Sequence, residues 1–154
     1  MVVDEVVVTA LAPDSAWASR LADANLASAV VTVRIGRVRI LLTGDAEGAE
    51  EDWLLAHAPA ALEADVLKVA HHGSATSTTP AFLAAVRPRV ALVSVGEGNT
   101  YGHPSATVMD ALRASGAEVL RTDRLGTVIV RTDGQTLDVE ARGLRWQVPV
   151  RPAR

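Results

Sequence analysis

Asp65-Val66-Leu67-Lys68-Val69-Ala70-His71-His72-Gly73-Ser74 is the stretch on which the reading of this chain turns. A short apolar run of the buried-strand type delivers two adjacent imidazoles onto a glycine turn. Two companions repeat the pattern, Leu41-Leu42-Thr43-Gly44-Asp45 upstream and Tyr101-Gly102-His103-Pro104 downstream. In each, a residue able to bind a metal follows a strand-like run inside a glycine-containing loop. In α/β proteins such loops at strand ends are where ligands gather.

Around these segments, apolar runs alternate with Ala-rich helical patterns and glycine-marked turns, which points to a mixed α/β domain. Strands are expected near Val6–Leu11, Ser28–Arg34, Val38–Leu42, Val66–Val69, Val90–Val95, Val119–Arg121, Thr127–Arg131 and Thr136–Glu140. Gly36-Arg37 reads as a hairpin turn. Asp133-Gly134 reads as a stronger one, because these residues accept positive φ angles. Helices are expected from Glu47 to His57, from Pro80 to Val86 and from Ser105 to Ala114. Thr79 and Ser105 are suited to cap the last two, and Pro80 to open the first turn after Thr79. Residues 1–141 are taken as the domain, and 142–154, with two prolines, as a loosely attached tail.

At 154 residues with 49% hydrophobic content, the chain can bury one ordinary core built from Val, Leu and Ala. There is no cysteine, so a transition-metal site must draw on His, Asp or Glu. The opening Met1-Val2-Val3-Asp4-Glu5 lacks the positive flank of a signal peptide, and no apolar run reaches the length of a membrane span. The net charge of −3 hides an asymmetry: 4 basic against 11 acidic residues through Asp65, then 11 against 7 from Val66 onward. The basic later half suits a polyanion, yet its arginines are scattered and not interleaved with aromatics, which equally fits a solvated surface.

Asp45 follows Val38–Leu42 and can bind or bridge metal ions, or cap the helix beginning near Glu47. His71 and His72 are two of the four histidines, and neighbouring residues of one loop can divide metal binding and substrate contact between them. Ser74 and the hydroxyls Thr76, Ser77, Thr78 and Thr79 can donate to a phosphate, or simply make up a polar loop. His103 is presented by the loop Gly96-Glu97-Gly98-Asn99-Thr100-Tyr101-Gly102 and suits a general acid, or a plain surface turn. His57 lies at a helix C-terminus, where a cation is favoured, and is left out of the site.

The three motifs, in this order and spacing, resemble the metallo-β-lactamase-like domain of ComEC-type DNA-uptake competence proteins. Pro88–Gly96 is similar to that family's strand before the Gly-His-Pro loop, Arg121–Gly126 to its late strand and turn, and Asn25–Val31, more weakly, to the segment before the hairpin. The resemblance implies an αββα sandwich with a divalent-metal site, zinc or manganese, at one edge of two packed sheets, and hydrolysis of phosphodiesters. It implies DNA as substrate, degraded on the strand that is not imported, beside a membrane channel of the parent protein on the extracytoplasmic side of the cytoplasmic membrane. Transferred by motif, Asp45 and His71 become metal ligands, His72 and His103 catalytic residues, and Ser74 and Tyr101 substrate contacts.

One departure bears on activity. The superfamily's first motif, His-x-His-x-Asp-His, does not occur in this sequence. The chain is therefore expected to be the C-terminal portion of the sandwich, with an incomplete ligand set and little activity of its own. The N-terminal half would then be a partner, and the sheet face that half covers is expected to be open and prone to self-association. Two alternatives accompany this reading: a non-catalytic binding or scaffold module of the uptake machinery, and another esterase of the superfamily, such as a phosphorylcholine-type phosphodiesterase.

Overall fold

The computed structural model of the protein describes residues 6–15, 19 and 27–152. Six strands make one sheet in simple sequence order: β1 (Val6–Ala12), β2 (Val30–Ile35), β3 (Val38–Leu42), β4 (Val66–Lys68), β5 (Val90–Val93) and β6 (Glu118–Arg121). The first three run antiparallel through hairpin pairing, with Ile35 opposite Val38. From β3 onward neighbours are parallel, which requires a crossover between each pair. Helices α1 (Gly48–His57), α2 (Pro80–Val86) and α3 (Ala106–Ala114) supply them. Because every crossover returns to the same edge, the loops after β3, β4 and β5 are brought side by side, and these are the loops that carry the three motifs.

Side-chain alternation divides the sheet into two apolar faces. Leu41, Leu67, Ala91 and Val93 face the helices and pack with Leu54, Phe82, Val86, Val108 and Leu112. Val38, Val66, Val90 and Leu120 point the other way, onto Leu137, Val139 and Val148 of a second sheet. That sheet contains β7 (Val128–Thr132), β8 (Leu137–Ala141) and β9 (Leu144–Val148), all antiparallel. The described residues thus form helix, sheet and sheet layers of a metallo-β-lactamase-type sandwich.

Both caps form as expected, with Phe82 N donating to Thr79 Oγ1 at 3.2 Å and Val108 N to Ser105 Oγ at 3.3 Å. Other expectations need correction. Residues 142–152, most of the segment expected to be a loosely attached tail, do not hang loosely. Leu144–Val148 pairs with β8, and Arg151 reaches Glu63 and Asp65 at 3.5 Å. Leu144-Arg145-Trp146-Gln147-Val148 alternates apolar and polar residues, a strand signal present in the sequence that the tail reading passed over. The face expected to lie open is covered by the second sheet along β3–β6, but at its β1 end Val6 and Val8, on the same face by register, stay exposed, and among the described residues the other exposed large apolar side chains are Leu42, Tyr101 and Leu144. At the Asp133-Gly134 turn only Gly134 has positive φ. Asp133 instead accepts bonds from Gln135 N and Thr136 N within a four-residue loop. A short helix, α4 (Thr122–Leu125), occupies what was expected to be a turn. Asn25, Leu26 and Met1–Glu5, which entered the sequence reading, lie outside the described residues.

Candidate metal and phosphodiester site

The loop after β3 turns sharply at Gly44, φ +52°, where a Cβ would stand 3.0 Å from Ala29 O. That close approach places Asp45 with its N–H on Ser28 Oγ at 3.2 Å and leaves its carboxylate about half exposed. Asp45 does not cap α1; Glu47 takes the cap position, without a side-chain cap bond. The loop after β4 is tighter still. His71 and His72 have φ of 45° and 54°, followed by Gly73 at 83°. Non-glycine residues in this left-handed region cost on the order of 1–3 kcal/mol each, and such strain concentrates at functional sites.

The strained turn sends the two imidazoles in different directions. His72 Nδ1 lies 2.7 Å from Ser94 O, and since a carbonyl only accepts, this nitrogen carries the proton. Its Nε2 faces Asp45 Oδ1, 3.8 Å away. His71 Nδ1 sits 3.1 Å from Glu47 Oε1, which also accepts from Thr76 Oγ1 at 2.9 Å. The His71 ring meets His103 edge-on at 5.7 Å between centroids. Tyr101 stacks on His103 at 6.0 Å.

The Gly-His-Pro loop is held by Asn99, whose side chain accepts from His103 N at 3.1 Å and donates to His103 O at 2.7 Å. It is locked to the His-His-Gly turn at one point: Ser105 N donates to Gly73 O at 2.8 Å. His72, His103, Tyr101 and Asn99 line a shallow cavity of about 210 Å³. Of the residues singled out from sequence, the fold thus brings His72, His103 and Tyr101 onto one surface, with Asp45 and His71 in contact with it. Ser74 is buried, and its hydroxyl bonds to Thr76 Oγ1 at 2.9 Å within the loop.

Two contributors escaped the sequence reading. Glu47, two residues beyond Asp45 in the same loop, is the carboxylate that orients His71. Lys68 puts Nζ 3.7 Å from Asp45 Oδ1 and 2.6 Å from Gly44 O. Burial pulls its ammonium below the ordinary lysine value, while Asp45 opposes that shift. A lone cation inside an apolar strand was the available signal.

Beneath the site, α1 carries two fully buried carboxylates. Glu51 accepts from Thr78 N and Thr79 N, fastening the loop that follows the histidines. Glu50 accepts from Ser28 N at 3.1 Å, and Ser28 in turn holds Asp45. Burial pushes the Glu50 carboxyl up to about 7, with the Ser28 bond opposing and the Glu51 charge adding.

A comparison with known proteins places this geometry. Residues 21–97, half of the chain, match the model of the metallo-β-lactamase superfamily. The chain belongs to that superfamily. It is 39% identical over 110 residues to ComE operon protein 3 of Bacillus subtilis (strain 168), covering 71% of this chain and 14% of that protein. It is 40% identical over 106 residues to competence protein ComA of Neisseria gonorrhoeae, covering 69% and 15%. Recombination protein 2 of Haemophilus influenzae is 38% identical over 116 residues, covering 75% and 14%. These relatives bear out the resemblance to ComEC-type domains. The chain spans about one seventh of their length.

Superfamily members generally bind divalent metal ions, and the donors here fit part of such a site. His72 Nε2 and Asp45 Oδ1, 3.8 Å apart, would offer one nitrogen and one carboxylate oxygen, donors that suit a divalent ion. The Ser94 carbonyl on Nδ1 fixes the orientation of the His72 imidazole, the kind of outer contact that a metal-binding histidine has. Among the described residues, no group of three or more His, Cys, Asp or Glu is placed to hold an ion. Also among the described residues, no helix is long and apolar enough to cross a membrane.

Proposed function

We propose that this chain forms the later wall of a metal-dependent phosphodiesterase site that acts on DNA within a DNA-uptake protein of the cytoplasmic membrane, degrading the strand that is not imported. One observation carries the reading: the Ser94 carbonyl commits the His72 proton to Nδ1, leaving Nε2 free toward the Asp45 carboxylate. Zinc or manganese would be held by Asp45 and His72, with His71, oriented by Glu47, as the adjoining ligand. The ion would supply an activated water and neutralise phosphoryl charge. The chain's own residues do the rest. Lys68 adds a fixed positive charge beside the carboxylate, His103 offers a proton to the leaving oxygen, and Tyr101 provides an exposed ring on which a base can stack. The names of the competence relatives support DNA as the substrate class.

With two or three donors the chain by itself holds metal weakly, and the remaining ligands come from the half of the fold that carries His-x-His-x-Asp-His. Isothermal titration with Mn²⁺, paired with a Mn²⁺-supplemented nuclease assay, tests this. Weak binding that is lost in Asp45→Asn and in His72→Gln is expected, with little cleavage until the complementary half is added. Tight stoichiometric metal, or binding indifferent to both substitutions, sinks the proposal. The Lys68 ammonium 3.7 Å from Asp45 favours one competing reading, a DNA-binding module that has dispensed with metal. It predicts no Mn²⁺ binding even with the other half present.

A further inference from the structure

The sheet edge opposite Asp45 carries a second charged constellation. The β2–β3 turn, the start of β4 and the segment after β9 meet around a cleft of about 340 Å³ whose walls include Arg34, Arg37, Arg39, Arg151, Glu63 and Asp65. Asp65 is buried, 1% exposed at its side chain. It accepts from Arg39 N at 3.0 Å and lies 3.7 Å from Arg89 Nε and 3.5 Å from Arg151 Nη1. Glu63 pairs with Arg87, with Arg151 Nε at 3.5 Å and with Arg39 Nη1 at 3.9 Å.

Four guanidiniums therefore surround two carboxylates, twice what neutralisation needs. Arg34 and Arg37 add two more, and the hydrogen bonds they donate go to the uncharged carbonyls of Gly36 and Gln135. Arg34, Arg37, Arg39 and Arg151 line the cleft beside Glu63 and Asp65, while Arg87 and Arg89 pair with the same carboxylates from outside it; six cations against two anions leave a surplus of four. Asp133, in the adjoining loop, reduces it to three, because the bonds from Thr136 N and Gln135 N hold its carboxyl down at about 2 and keep it charged. Burial holds Arg151 below the ordinary arginine value, and repulsion from Arg89 and Arg87 adds to it against the pull of Asp65 and Glu63. Like charges crowded into a cleft are unfavourable unless an anion joins them. All six cations are arginines, whose planar fork matches phosphate oxygens in pairs.

We infer that this cleft is a second binding site, separate from the Asp45–His72 edge, for the phosphate groups of a nucleic-acid strand. Between the two edges, Arg39–Leu42 of β3 spans about 10 Å, and the chain then turns at Gly44 to Asp45. The strand portion alone matches about three phosphates along one strand of a duplex, so one strand can occupy both edges. The identity of the ligand rests on the phosphodiester reading above; the existence of an anion site does not.

Fluorescence anisotropy of a labelled 12-nucleotide single strand, with the whole chain in EDTA so that no cleavage intervenes, tests the inference. Arg34→Gln near the end of β2 combined with Arg37→Gln on the following turn, both exposed side chains, is expected to weaken binding about tenfold or more. It should also make the slope of log K against log salt shallower by about 1.4, because two phosphates are no longer neutralised. Arg113→Gln with Arg131→Gln makes the same charge change elsewhere and is expected to leave both quantities nearly unchanged. Equal losses in the two pairs, or no loss in either, overturn the proposal. Pyrophosphate is the second arm. If it binds through Arg34 and Arg37 while the oligonucleotide is unaffected by their loss, the ligand is a free phosphate compound and the nucleic-acid assignment falls. A chain that binds the strand here but never cleaves DNA, even with metal and its complementary half, counts against the catalytic reading alone.

Discussion

Gly73 is where the two histidine loops touch, and replacing it with alanine tests whether that contact organises the site. A Cβ at this position would lie 2.6 Å from Pro104 Cβ and 3.1 Å from Pro104 Cα, whereas carbon atoms rest at about 3.5–4.0 Å. The neighbour is a ring continuous with the backbone, so it cannot swing aside. Overpacking of this kind costs about 1–3 kcal/mol. The φ of +83° adds about 1–2 kcal/mol for any side chain in the left-handed region. Gly73→Ala is therefore expected to destabilise the chain by about 2–5 kcal/mol, a fall in Tm of roughly 4–20 °C at this size. Gly102→Ala carries the φ cost alone, since its φ is a similar +75° and nothing lies within 4 Å of the added Cβ, so its difference from Gly73→Ala gives the steric part. Urea unfolding of both variants is the assay, with Mn²⁺ titration of whatever remains folded. Relief of the clash would push Pro104 away and take His103 and the Ser105 bond with it. If Gly73→Ala proves no worse than Gly102→Ala, the loops are not locked together here and the reasoning fails.

Glu50 predicts a pH dependence with a definite sign. Its folded value of about 7 lies above the ordinary 4.5, so the folded state holds its proton more tightly. Stability from this group is complete below about 4.5 and declines as pH rises toward 7, by up to about 3 kcal/mol. Glu50→Gln should flatten that decline in denaturation curves taken across the window; an unaltered slope would exclude Glu50 as its source. Leu137, fully buried between the sheets, should cost about 2–5 kcal/mol as Leu137→Ala, and a loss under about 1 kcal/mol would mean the second sheet is not firmly packed on the first. Removing residues 149–154 deprives Asp65 and Glu63 of Arg151 and should lower the urea midpoint measurably, whereas a freely hanging tail would leave it unchanged. Glu47→Gln, which keeps the shape of the His71 partner but not its charge, should weaken Mn²⁺ binding about tenfold; titration showing equal affinity would remove Glu47 from the site.

Much of the fold was legible because its signals are local. Thr79-Pro80 and Ser105 announce their helix starts by chemistry confined to a few residues, and both caps form. The parallel strands read as apolar runs because both their faces are covered. By contrast β9, an edge strand, alternates Leu144, Trp146 and Val148 with Arg145 and Gln147, a signal that was legible but was masked by the neighbouring prolines, and its partner β8 confirms it. The second sheet's cover over Val38, Val66 and Val90 was invisible, since nothing in those residues says which segment returns to bury them.

The same division runs through the candidate site. Residue types and order alone determined that Asp45, the His71-His72 pair and His103 end successive strand segments, which in a parallel sheet commits them to one edge. Which nitrogen of which histidine meets the carboxylate depended on backbone dihedrals at three consecutive left-handed residues. Only the folded chain settles those, through the Ser94 carbonyl, the Glu47 carboxylate and the Pro104 ring. Periodicity along the chain places a residue at a sheet edge, but the direction of its side chain is set by contacts with residues about 20 to 30 positions away, and those exist only once the layers have packed.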